Sequence, residues 1–204
     1  MPLLDLVNCL DSDDEVEPHK TELKRYNAVT NATAFYKKGE QLFENYGQPN
    51  YIYFMHHGFV LQENRYDCAP FNDLYITKSD LNSRTLDDIR SRLLLNGFSG
   101  SSLRPLFCLR DSSSLERIAN FARIKLGIDG GDNSGLGKDV LPFLSHFFTK
   151  RLARYNAMKR RTMPCIEKEL SDSSKMMLSL VRDEETFFKN ALKTMTKDGA
   201  MNKN

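Results

Sequence analysis

Hydrophobic and polar positions follow two different rhythms along the 204-residue chain. From Met1 to about Thr77 the apolar residues come in short, strand-sized clusters broken by turn formers. Tyr26–Thr30 and Thr33–Tyr36 are rich in β-branched and aromatic residues, and Lys37-Lys38-Gly39-Glu40 predicts a tight turn. Gln41–Asn45 reads as a further short strand, closed by Tyr46-Gly47 and the turn Gln48-Pro49-Asn50. Tyr51–Val60, apolar and aromatic, predicts a short helix running into Gly58 and then a strand.

Beyond Thr77 the helical period takes over. Ser79 and Asp80 are candidate caps for a helix with Leu86, Ile89, Leu93 and Leu94 on one face, stopped at Asn96-Gly97. Ser112–Ser114 predicts the cap of a second helix with Leu115, Ile118, Phe121 and Ala122 on its inner face. Val140–Ala157 and Glu167–Met195 predict two longer helices split near Pro164, with Thr196–Asn204 as a frayed end. The expected fold class is therefore α+β: short strands over 1–77, then an all-helical domain over 78–204.

Composition changes this picture little. A net charge of +2 gives no global push toward nucleic acid. No apolar run approaches the roughly 18 residues of a membrane span, and Met1–Leu10 contains Asp5 and lacks a basic leader, so neither a span nor a secretory signal is expected. Cys9, Cys68, Cys108 and Cys165 are widely spaced without a CxxC pair, which fits a reducing, intracellular setting. The histidines His19, His56, His57 and His146 fall outside zinc-ligand spacing, and no metal is expected. The acidic Asp11–Glu17 lacks the glycine and terminal glutamate of a calcium loop and reads as solvated surface. Asn31-Ala32-Thr33 matches a common glycosylation triplet, which carries no weight without a secretory signal. Gly127–Gly137 is not a phosphate loop, because Asp139 follows Gly137-Lys138 and Asp132 stands where the first glycine belongs.

Three segments carry candidate chemistry. They are Pro2-Leu3-Leu4-Asp5-Leu6-Val7-Asn8-Cys9, Lys38-Gly39-Glu40-Gln41-Leu42-Phe43-Glu44-Asn45-Tyr46-Gly47, and His57-Gly58-Phe59-Val60 followed by Glu63–Asp67. In this order, with Asn50 between the last two, they resemble the SET-domain protein methyltransferases. The subgroup is that of the Rubisco large-subunit lysine methyltransferase and the actin-histidine methyltransferase. Its pattern runs Pro-x-x-Asp-x-x-Asn-His, then Gly-Glu-Gln/Glu-hydrophobic-x-x-x-Tyr-Gly, then Asn, then Gly-Phe. The helical half is similar, in order and helical character, to the family's substrate-binding domain, with Arg154-Tyr155 through Glu169, Lys175–Leu180 and Asp183-Glu184-Glu185 as its closing helices.

The resemblance implies S-adenosylmethionine as cofactor and Tyr46 as the catalytic tyrosine. It implies Asn8 as the amide that binds the cofactor, beside Cys9, which replaces the family's histidine. His57 and Phe59 would line the substrate channel. The target is a protein lysine, whose amine must be neutral to attack although its reference pKa is about 10.4; a histidine target is the alternative. A desolvated aromatic channel lowers that pKa, and positioning supplies much of an in-line methyl transfer. Each residue also has a plainer reading: Tyr46 as a packed strand tyrosine, Asn8 as a turn former, His57 as an exposed histidine and Phe59 as a core aromatic.

The family's Gly-x-Gly element precedes the asparagine segment, which here lies almost at Met1. The expectation is therefore an incomplete SET domain in this chain, or a non-catalytic interaction module descended from one. A chance match would leave an all-helical scaffold. A monomer in the cytoplasm or nucleus, with a protein substrate and without direct nucleic-acid or membrane contact, completes the expectation.

Overall fold

The computed structural model describes residues 8–9, 22–29, 35, 37–41, 43–44, 46–81, 84–99, 103–128, 136, 139–166 and 171–201. The fold is mixed α+β and mostly helical, so an all-helical scaffold does not apply. The chain forms two compact units, Met1–Asp67 and Cys68–Asn204.

In the first unit β1 (Asn8–Cys9) pairs in parallel with β4 (Phe43–Glu44), Asn8 opposite Phe43 and Cys9 opposite Glu44. Between them in sequence, β2 (Glu22–Lys24) and β3 (Asn27–Val29) form an antiparallel hairpin whose turn residue Arg25 has φ 54°. Lys37–Glu40 makes the expected turn: Glu40 N donates to Lys37 O at 3.1 Å, and the Glu40 carboxylate accepts from Lys37 N at 2.7 Å. Helix α1 (Asn50–His57) ends at Gly58, whose left-handed φ of 76° lets its N–H reach the carbonyls of Phe54 and Tyr53. The expectations for Asp11–Glu17, Asn31–Thr33 and His19 lie outside the described residues.

The second unit contains an antiparallel strand pair, β5 (Ala69–Phe71) with β6 (Phe107–Leu109), and is therefore not all-helical. The reason is local. Pro105 forbids a helix entering from the preceding loop, and Phe107 and Leu109 bury one face while Cys108 turns outward. A disulfide joins Cys68 to Cys108, so these two do not stand as the reduced thiols their spacing suggested.

Helix α2 (Leu86–Leu95) starts later than expected. Thr85 and Asp88 form its capping box, while Ser79 and Asp80 sit in a separate 3-10 turn capped by Thr77. Helix α3 (Ser112–Leu126) is capped by Asp111, just before the expected serines. Arg84 donates to the carbonyls of Ile124 (2.6 Å) and Lys125 (3.0 Å), and Arg92 to that of Ile128 (2.8 Å), so two arginines satisfy the end of α3.

Helix α4 (Leu141–Ile166) runs past Ala157 and through Pro164. Helix α5 (Asp172–Met201) continues beyond Met195, so Thr196–Met201 is helical rather than frayed. Buried Leu141, Leu144, Phe148 and Tyr155 on α4 and Val181, Phe188, Ala191 and Met195 on α5 fall at steps of three, four and seven, the spacing that keeps a seam on one helix face. The core gathers around Phe71, whose ring lies 5.3 Å from Phe148, and Phe121, 5.4 Å from Phe107. Each fully buried phenylalanine stabilises the fold by about 1.5–3 kcal/mol.

Candidate functional site

The candidate site lies in the first unit and begins with α1. Tyr53 and His57 stand four residues apart and so share a helix face. Gly47 and Gly58 fold the chain back on either side. Gly47, with φ 61°, turns the backbone immediately after Tyr46, and Gly58 returns it so that Phe59 meets the same face. Left-handed φ at both places is strained for any residue with a Cβ.

Three residues expected at the site, from two separate segments, are brought together. The Tyr46 ring lies 5.2 Å from His57, and His57 lies 5.9 Å from Phe59. Between them stands Tyr53, fully buried, 6.0 Å from Tyr46, 6.2 Å from His57 and stacked on Phe59 at 5.1 Å. Tyr46 and Phe59 are half-buried and His57 is exposed, so the cluster has a buried centre and an open rim. The backbone of Asn8 and Cys9 lies along β4, which leads into Tyr46; their side chains lie outside the described residues.

Tyr53 was not singled out in the sequence, although its position four before His57 in a helical run was a usable signal. Its hydroxyl accepts from the backbone N–H of Gln48 at 3.3 Å, pinning the loop that follows Tyr46.

Polar groups hold the frame. Asn50 is 2 % exposed and engages every polar group of its side chain. Its Nδ2 donates to Leu61 O (2.9 Å) and Asp67 Oδ2 (3.2 Å), and its Oδ1 accepts from Leu61 N (3.0 Å) and Asn64 Nδ2 (3.1 Å). Asp67 Oδ1 also accepts from Asn50 N at 2.9 Å, placing a carboxylate at the positive end of α1. Asn64 Nδ2 reaches Gln48 O at 2.8 Å. Asn50 is thus the knot that ties α1 to the 61–67 loop, with no donor or acceptor left for a ligand. Asp67 and Asn64, the other two strands of the knot, carry no motif of their own.

Chemically, the rim consists of the Tyr46 phenol, the His57 imidazole and the Phe59 ring. Aromatic faces favour cations, including ammonium and sulfonium groups, through the ring quadrupole. Among the described residues no three His, Cys, Asp or Glu side chains are grouped to hold a metal ion, and no helix is long and apolar enough to cross a membrane. No protein-family model matches the sequence, and no curated protein matches it.

Proposed function

We propose that the first unit supplies the methyl-transfer site of an S-adenosylmethionine-dependent protein-lysine N-methyltransferase, with protein histidine as the alternative target. The observation that carries this reading is the gathering of Tyr46, His57 and Phe59 around the buried Tyr53. The parallel pairing of β1 with β4 supports it, since the Asn8-Cys9 backbone then runs beside Phe43–Glu44, two residues before Tyr46.

In this reading Asn8 and Cys9 hold the cofactor, which supplies an electrophilic methyl group on a sulfonium. Tyr53 fixes the loop after Tyr46, and the Tyr46 hydroxyl accepts a hydrogen bond from the target amine and aims its lone pair in line. Phe59 and the Tyr53 ring exclude water, which favours the neutral, attacking amine. His57 at the open rim contacts the incoming side chain and bears on the choice between lysine and histidine. The substrate is a protein chain, the expected state a monomer, and nucleic acid has no part in it. The expected location is the cytoplasm or nucleus.

The test is transfer of labelled methyl from S-adenosylmethionine to lysine- and histidine-bearing peptides by the full chain. Tyr46→Phe should cut incorporation by about 100-fold, the scale of a positioned hydroxyl acting on the reacting group. Incorporation unchanged by Tyr46→Phe removes Tyr46 from the chemistry, and no incorporation by the unaltered chain contradicts the activity.

A further inference from the structure

The second unit holds a cavity of about 490 Å³ beside β6, within the size range of binding pockets. Phe98, Leu106 and Phe107 give it an apolar wall, Cys108 and Ser114 border it, and Arg117 of α3 is its only charged lining residue among the described residues. Leu106 is 58 % exposed and adds an apolar side chain to the cavity wall. Arg117 lies over the Phe98 ring at 5.3 Å and makes no ion pair with a described carboxylate.

The strand edge adds a second, independent feature. Pro70 is paired with Cys108 and has no N–H to give. The ladder bonds therefore run through Ala69–Leu109 and Phe71–Phe107, and the alternation of an antiparallel pair turns the Cys108 N–H and C=O away from β5. No third strand joins this sheet among the described residues, so the outer edge of β6 is open at Cys108, the same residue that borders the cavity.

We propose that this edge and cavity form a docking groove for an extended segment of a partner protein that carries a bulky apolar residue next to an acidic one. The segment adds a strand to β6 through the Cys108 backbone, its apolar side chain fills the space between Phe98, Leu106 and Phe107, and its carboxylate meets Arg117. Main-chain bonds then supply affinity and the two side-chain contacts supply selectivity. The guanidinium sets the sign of the partner's charge, since a carboxylate forms the two-pronged, charge-assisted bond that the apolar wall cannot. The proposal concerns residues 98–117 alone and stands whether or not Tyr46 transfers a methyl group.

The chain has no tryptophan, so a tryptophan-bearing peptide reports its own binding. With the full chain and the blocked peptide acetyl-Gly-Ser-Trp-Leu-Glu-Ser-Gly-amide, the indole emission should shift saturably, and the amide resonances of Leu106, Phe107 and Cys108 should move. Arg117→Gln should weaken binding about tenfold, the scale of one charge-assisted bond. Arg117→Glu should abolish it and instead favour the same peptide with lysine in place of glutamate. Arg117 is exposed on α3, and an unchanged helical circular dichroism spectrum confirms that both variants fold. Three outcomes overturn the proposal: no saturable shift at millimolar peptide, binding indifferent to both Arg117 variants, or tight binding of indole-3-propionate with none of the peptide.

Discussion

The two units are held together by different physics. Among the described residues, every buried hydrophobic side chain except Tyr53 belongs to the second unit, and all of these but Cys68 form one cluster from Ala69 to Met195. In the first unit the described residues are joined instead by the hydrogen bonds of Asn50, Asp67 and Asn64 and by rings gathered about Tyr53. Apolar burial is non-directional and gives stability; a satisfied polar knot gives less stability but fixes geometry. Among the described residues, the candidate chemistry therefore sits where directed hydrogen bonds and ring contacts set the geometry.

The contrast breaks first, and most severely, in the second unit. Phe121→Ala removes a fully buried ring from the core and should lower the unit's stability by about 3–5 kcal/mol, read as a fall in the urea midpoint. Replacing Cys68 and Cys108 together by serine opens a loop closed across 40 residues. The chain-entropy model puts the loss at about 4 kcal/mol or below, measurable against the oxidised parent. Asp67→Ala acts on the other unit and should cost about 1–3 kcal/mol, because it strips the partners of the Asn50 N–H and amide. Hydrogen exchange should quicken at Asn50–Tyr53 and Leu61, and stay unchanged in α3 to α5. If the core helices loosen equally, the two kinds of stabilisation are not separate.

Much of this organisation was legible in the sequence, for identifiable reasons. The helical periods of Leu86–Leu94 and Leu115–Ala122 located α2 and α3, and Gly58 announced the end of α1. Starting points were harder. Ser79-Asp80 and Thr85 are both plausible caps, and Thr85 wins because Asp88 completes a capping box there. The pairing of β5 with β6 was hidden because it joins segments far apart, and three residues carry too little period to read. At the candidate site Tyr46, His57 and Phe59 were visible through motif order. Tyr53 was not, because a buried aromatic in a helix looks like any core residue until its neighbours are known.

Smaller effects sharpen the same contrast. Tyr155 donates to Glu184 at 2.6 Å and accepts from Arg151 at 3.1 Å, a polar link within the apolar α4–α5 seam. Burial first, and then the Glu184 carboxylate, push its phenol well above the usual tyrosine range, so it stays a neutral donor. Tyr155→Phe should cost about 1–2 kcal/mol in thermal or urea unfolding. Least of all should be the contribution of the exposed cap Asp111, whose carboxyl is held down to about 2 by the Ser114 N–H and then the Ser113 hydroxyl. A lowered pKa stabilises the fold fully above the unfolded value of about 4, and this contribution fades as pH falls through about 2. Asp111→Asn should flatten only that acid limb of the stability profile.

The proposed methyl-transfer role of the aromatic cluster in the first unit is tested most directly by cofactor binding. Titration of the full chain with S-adenosylmethionine, followed by calorimetry and by the ring resonances of Tyr46, His57 and Phe59, should give saturable heat with shifts confined to this cluster. Asn8→Ala should weaken that binding while leaving Tyr53 and Asn50 in place. No heat and no shift at millimolar cofactor would contradict the central claim and leave the chain as a protein-interaction module.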